Sequence, residues 1–198
     1  IAPDRGQALA VGDDKRTWLV DLDDLAVETL GKHPDWVHAC AFVRTSAGEL
    51  ALAADGDAEL RAWQRDSSTL AFEGKSEKNY AYAALAATHT HAFAGGSAGA
   101  IDVWSLPGGR LLAPVEAHAD KLVALALADE DRVLVSAAAD GEIKLWRVGP
   151  SLRLLDRVIG HAPFLGLCVA GSRIVAIDEA GNLWSLCVDW RRLAAVAG

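Results

Sequence analysis

The sequence predicts an all-β chain built from one unit of strands repeated about every 40 residues. Three observations carry this reading. Five tryptophans, Trp18, Trp63, Trp104, Trp146 and Trp184, stand 45, 41, 42 and 38 residues apart. A turn signal precedes each: Gly12-Asp13-Asp14, Asp55-Gly56-Asp57, Ser97-Ala98-Gly99, Asp140-Gly141 and Glu179-Ala180-Gly181. Between the turns, apolar residues alternate with small or polar ones in short runs, which is the period of a strand and not of a helix.

Each repeat yields its strands in turn. An apolar run such as Leu50–Ala53 or Val133–Val135 lies before the turn. The turn's Asp-Gly or Gly-rich pair supplies the positive φ that a tight hairpin needs. The Trp-bearing strand follows, in frames such as Ile101-Asp102-Val103-Trp104 and Ile143-Lys144-Leu145-Trp146. A second turn, Asp66-Ser67-Ser68 or Pro107-Gly108-Gly109, leads to an outer strand. The fourth strand is small and alternating, as in Val37–Phe42, Leu122–Leu127 and Leu165–Val169, and suits a crowded inner position. Four strands per period of roughly 40 residues describe a β-propeller blade. The repeats run approximately over residues 1–34, 35–76, 77–117, 118–160 and 161–198.

These residues resemble the WD-repeat propeller family over nearly the whole chain. Ala117-His118, Ser136, Asp140-Gly141 and Trp146 match best; Lys32-His33, Asp55 and Trp63, and Gly160-His161, Asp178 and Trp184, match in part. The histidines His33, His118 and His161 each stand four positions before an inner-strand apolar residue, namely Val37, Leu122 and Leu165. The resemblance implies a buried hydrogen-bond network of His118, Ser136, Asp140 and Trp146. It implies similar networks of His33, Asp55 and Trp63, and of His161, Asp178 and Trp184. Lys78 aligns with the histidines in the remaining repeat, which is expected to lack the network. No tryptophan is followed by Asp, so the dipeptide that names the family is absent.

The phase of the repeat also bears on completeness. Gln7–Val11 reads as a second strand, so the first repeat lacks its inner strand. The stretch from Trp190-Arg191-Arg192 to Gly198 reads as the outer strand of the last repeat, for about 19 strands in all. Three arrangements fit: part of a larger ring of seven blades, which is favoured; a five-bladed ring closed by the apolar tail Leu193–Ala197; or a partial ring completed by another chain.

Composition narrows the function. The 198 residues carry 19 Lys and Arg against 27 Asp and Glu, a net charge of −8, which disfavours nucleic-acid binding. At 52% hydrophobic and 23% charged the chain is expected to fold. There is no uninterrupted apolar run of membrane-spanning length, no signal-peptide pattern at the start, and no Met. Cys40, Cys168 and Cys187 form no Cys-x-x-Cys pair and sit in apolar runs, so buried free thiols in a reducing, cytoplasmic setting are expected.

Chemistry finds little support. Gly95-Gly96-Ser97-Ala98-Gly99 fits the nucleophile-elbow pattern, but that motif needs a strand leading into a helix, and here a strand follows. His89-Thr90-His91 reads as a turn without a third ligand. No phosphate-binding glycine loop occurs. No catalytic residue, cofactor or metal is expected. Trp36 stands in the loop before its inner strand, with counterparts Ala81, Lys121 and Phe164 in other repeats, and Trp36, Lys121 and Phe164 form a candidate partner-binding rim. The expectation is therefore a non-catalytic WD-repeat propeller that scaffolds protein–protein contacts. The alternative is the sensor or regulatory propeller of a larger multidomain signalling protein.

Overall fold

A computed structural model of the chain describes residues 2, 6–77, 80–112, 114–149 and 151–196, with side chains as far as Leu193. Lys78 lies outside these residues. Strands group into five antiparallel sheets. The first holds β1 (Gln7–Val11), β2 (Arg16–Asp21) and β3 (Val27–Lys32). The second holds β4 (Val37–Thr45), β5 (Gly48–Asp55), β6 (Glu59–Gln64) and β7 (Leu70–Lys75). The third holds β8 (Tyr82–Ala87), β9 (His91–Gly96), β10 (Ala100–Ser105), β11 (Arg110–Leu111) and β12 (Val115–Glu116), the last two both pairing with β10. The fourth holds β13 (Leu122–Ala128), β14 (Val133–Ala138), β15 (Glu142–Arg147) and β16 (Arg153–Ile159). The fifth holds β17 (Phe164–Ala170), β18 (Arg173–Asp178) and β19 (Leu183–Cys187). The chain ends in α1 (Trp190–Val196).

The last segment is a correction. Trp190–Val196 form a helix and not an outer strand, and the described part of the tail Leu193–Ala197 supplies no inner strand. Asp189 explains the switch: its Oδ1 accepts the backbone N–H groups of Arg191 (3.1 Å) and Arg192 (3.2 Å), capping the first turn. Trp190 anchors the helix by donating to the Gly171 carbonyl at 3.0 Å.

The chain divides into two compact units, Ile1–Ala94 with Asp102–Pro114, and Gly95–Ile101 with Val115–Gly198. In the first unit, Val11 and Leu30 of the first sheet pack on Val37, Ala53 and Trp63 of the second. In the second unit, the fourth sheet packs on the fifth, with Val135, Ala137 and Ile143 against Phe164, Ile174 and Ala176, and with Trp184 on the same cluster.

The turn before each central strand ends in a residue of positive φ: Lys15 (61°), Ala58 (58°), Gly99 (71°), Gly141 (78°) and Gly181 (81°). These fall 43, 41, 42 and 40 residues apart, a steadier period than that of the tryptophans. Trp63, Trp104 and Trp146 lie five residues beyond this point, whereas Trp18 and Trp184 lie three beyond it. The five tryptophans are therefore not equivalent. A two-residue step keeps a side chain on the same sheet face, so either place is usable. Trp63 pairs with Ala51 and Trp146 with Leu134, but Trp184 pairs with Ala176 and Trp18 with Ala10, two residues nearer the turn.

Candidate functional site

His118 starts the loop before β13. Its Nδ1 lies 3.0 Å from Asp140 Oδ2, its Nε2 lies 2.8 Å from Ser136 Oγ, and Trp146 Nε1 donates to the same Oγ at 2.9 Å. A neutral ring protonated on Nδ1 satisfies every group: indole N–H to Ser136, Ser136 O–H to Nε2, and Nδ1–H to the carboxylate. Burial pushes the His118 ring below the ordinary imidazole range, against the pull of Asp140, which fits this neutral form. Burial pushes the Asp140 carboxyl up, but the backbone N–H groups of Ala119 and Glu142, with His118, bring it below the usual carboxylate range.

The other repeats solve the same problem differently. His33 is buried, with Nδ1 3.1 Å from Asp55 and Nε2 3.0 Å from Thr17 Oγ1. Its hydroxyl partner comes from β2 of the preceding sheet, because Ala53 occupies the place of Ser136. Trp63 meets the imidazole edge-on, ring centroids 5.8 Å apart. In the third sheet Asp102, fully buried on β10, accepts from Tyr80 (2.8 Å) and Tyr82 (2.6 Å). Burial, then the Asp102 carboxylate, drives the Tyr82 phenol far above its ordinary value. Sequence reasoning missed this cluster: two tyrosines preceding a strand Asp match no motif.

The last repeat overturns two expectations at once. His161 is exposed and makes no hydrogen bond among the described residues. Asp178, buried, accepts instead from Asn182 Nδ2 (3.0 Å) and Trp184 Nε1 (2.9 Å), and the Trp184 and Asn182 donors hold its carboxyl below the usual range. Phe164 is 1% exposed and packs edge-on against Trp184 at 5.8 Å, so it is no rim residue. Register explains both. Val37 pairs with Asp55, Leu122 with Ala138 and Phe164 with Asp178, so Phe164, not Leu165, heads the inner strand. The backbone N–H groups of His33, His118 and Gly160 make the same bond to the preceding sheet's turn, on Lys15, Gly99 and Gly141. Gly160 thus stands at the histidine position, and a Cβ there would meet the Phe164 ring at 3.1 Å. The aromatic ring fills the space of an imidazole.

Trp36 and Lys121 hold equivalent loop positions in their sheets. The Trp36 carbonyl accepts from Gly56 and the Lys121 carbonyl from Ala139; the matching residue of the last repeat is Pro163, which accepts from Glu179. Trp36 is 51% exposed, with His38 edge-on at 6.5 Å. Its loop is pinned by Lys15, whose Nζ donates to Pro34 O at 2.9 Å and faces Asp35 at 3.5 Å. Lys121 is exposed.

The remaining candidates are placed plainly. Ser97 is exposed in the turn between β9 and β10, strand to strand. His89 is exposed in a turn, while His91 Nδ1 lies 2.9 Å from Thr90 Oγ1. His118, Asp140 and Glu142 offer ligand atoms within 4.8 Å of one another. Glu142, however, is tied to Lys144 (2.7 Å) and Arg157 (3.1 Å), and both His118 nitrogens are engaged. The thiols differ from expectation: Cys168 and Cys187 are exposed, and only Cys40 is partly buried, where desolvation raises its pKa. No helix among the described residues is long and apolar enough to cross a membrane. The sequence matches no protein-family model and no curated protein.

Proposed function

We propose that the chain is a WD-repeat-type β-propeller, or the greater part of one, that works as a non-catalytic, intracellular scaffold for protein–protein contacts. One observation carries the reading: a half-exposed indole, Trp36, stands on a loop whose backbone and flanking side chains are held by the His33–Thr17–Asp55 network and by Lys15. An aromatic anchor on a preorganised loop loses little freedom when a partner covers it, which is the physical character of an interface hot spot. The buried polar clusters favour a scaffold over an enzyme, because their hydrogen bonds close on the fold itself. Lys121, at the equivalent place of another repeat, adds a second exposed contact point.

A photo-crosslinking amino acid at position 36 is expected to capture one discrete protein from cells expressing the chain, where the same group at Leu70, equally exposed on an outer strand, captures none. Trp36→Ala should abolish the complex formed with that purified partner and leave the melting temperature unchanged. Equal labelling from both positions, or undiminished binding by Trp36→Ala, refutes the reading.

A further inference from the structure

We propose that the hairpin tip between β2 and β3 docks an apolar surface bordered by Lys and Arg on a partner protein. This contact goes beyond the scaffold reading and does not depend on Trp36. Residues 22–29 are all exposed, and among them Leu22, Leu25 and Val27 are 41%, 70% and 59% exposed. One hairpin makes this patch, and its turn lies off the sheet faces. Leu25 is the residue that the fold does not explain. Its backbone is left-handed, with φ 61°, a conformation that costs free energy for a side chain with a Cβ. Burial offsets none of that cost, because the side chain faces solvent. The same hairpin in other sheets shows what the turn requires. Val20 pairs with Val27, Trp63 with Leu70 and Trp104 with Leu111, seven residues apart in each case. Counted from those pairs, Ser68 and Gly109 stand where Leu25 does, and both are left-handed too, at 53° and 64°. A small residue therefore satisfies the turn in the second and third sheets, and the first sheet places a leucine there.

The tip is held in shape by its own side chains. Asp21 Oδ1 accepts the backbone N–H groups of Asp23 (2.9 Å) and Asp24 (3.4 Å), and Asp24 Oδ1 accepts that of Ala26 (2.8 Å). The Asp21 N–H donates to the Ala26 carbonyl at 2.9 Å. Leu25 thus projects from a fixed loop that loses little freedom when a partner covers it. Charge selects that partner. Residues 21–31 carry Asp21, Asp23, Asp24 and Glu28 and no Lys or Arg. The matching stretch of the second sheet, residues 64–74, carries Asp66 and Glu73 with Arg65. An apolar tip set among carboxylates finds its complement in an apolar surface with a basic border. A second copy does not supply that border, since the chain carries −8 overall and like tips repel.

The probe is a helical peptide with leucines on one face and lysines along its borders, added to the isotope-labelled full chain and followed by NMR. Amide shifts are expected to centre on residues 21–28. Leu25→Ser, which matches Ser68 of the second sheet, should weaken binding about tenfold and melt no lower than wild type. Asp23→Asn and added salt should each weaken it as well. Trp36→Ala should leave it unchanged, which separates this contact from the Trp36 site. A wild-type chain that does not bind the peptide overturns the proposal, as do shifts centred outside the hairpin or undiminished binding by Leu25→Ser. Equal binding of the same peptide with glutamates in place of its lysines overturns it too.

Discussion

Ser136 shows how much a single hydroxyl can hold. It is fully buried, takes the Trp146 N–H and supplies a hydrogen to His118. Ser136→Ala leaves both groups unpaired, and chemical denaturation should show a loss of about 1–3 kcal/mol. The pH dependence follows from the same cluster. The folded His118 ring titrates below its unfolded value, so the stability it contributes is complete above about pH 6.5 and is lost as pH falls through the lower folded value. Asp140 acts in the same direction further into acid, below its own unfolded value. The urea midpoint should therefore fall as pH drops below about 6.5, and His118→Asn should flatten that slope between pH 7 and 5 while lowering the midpoint overall. At the alkaline end, the chain has two tyrosines, and Tyr82 is held protonated by burial and by Asp102. Absorbance titration should show fewer than two tyrosinates until the fold is lost.

At the scale of elements, the outer strands are shaped by the tryptophans they meet. A Cβ on Gly31 of β3 would lie 2.7 Å from the Trp63 ring, and one on Gly74 of β7 would lie 2.5 Å from the Trp104 ring. These glycines leave room for an indole five residues beyond the turn to approach the outer strand closely. In the fourth sheet Val158 holds that place, and the next sheet brings Leu186 where Trp63 and Trp104 stand elsewhere. Gly74→Ala should cost about 1–3 kcal/mol through overpacking against Trp104. Gly108→Ala, with nothing within 4 Å, should be neutral in the same melting experiment. Most strands were legible in the sequence because alternation and turn residues act locally. The helix Trp190–Val196 was not: its apolar residues suit either state, and the Asp189 cap together with the Trp190 contact decides between them.

For the whole molecule, net charge and exposed apolar residues set solubility between them. The chain carries −8 at neutral pH and has an isoelectric point near 5.2. Charge repulsion between copies opposes association, and it vanishes as that pH is approached. Solubility should therefore reach its minimum near pH 5.2, and Leu183→Glu should raise solubility more than the same change at exposed Leu25, which lies off the sheet faces between β2 and β3.

The all-β class and the repeat were legible from spacing within each repeat, and the resemblance to the WD-repeat family pointed to His118, Ser136, Asp140 and Trp146 as one set. The tertiary structure decided the register. Trp18 and Trp184 look in phase to a reader counting tryptophans, yet a two-residue offset preserves the face of a strand and so hides the difference. Likewise His161 and Leu165 appear to continue the histidine pattern, but cross-strand pairing of Phe164 with Asp178 moves the last repeat by one residue. That step buries Phe164, exposes His161 and turns Leu165 outward. Hydrogen bonding between strands fixes such a shift, and a pattern of apolar residues tolerates it.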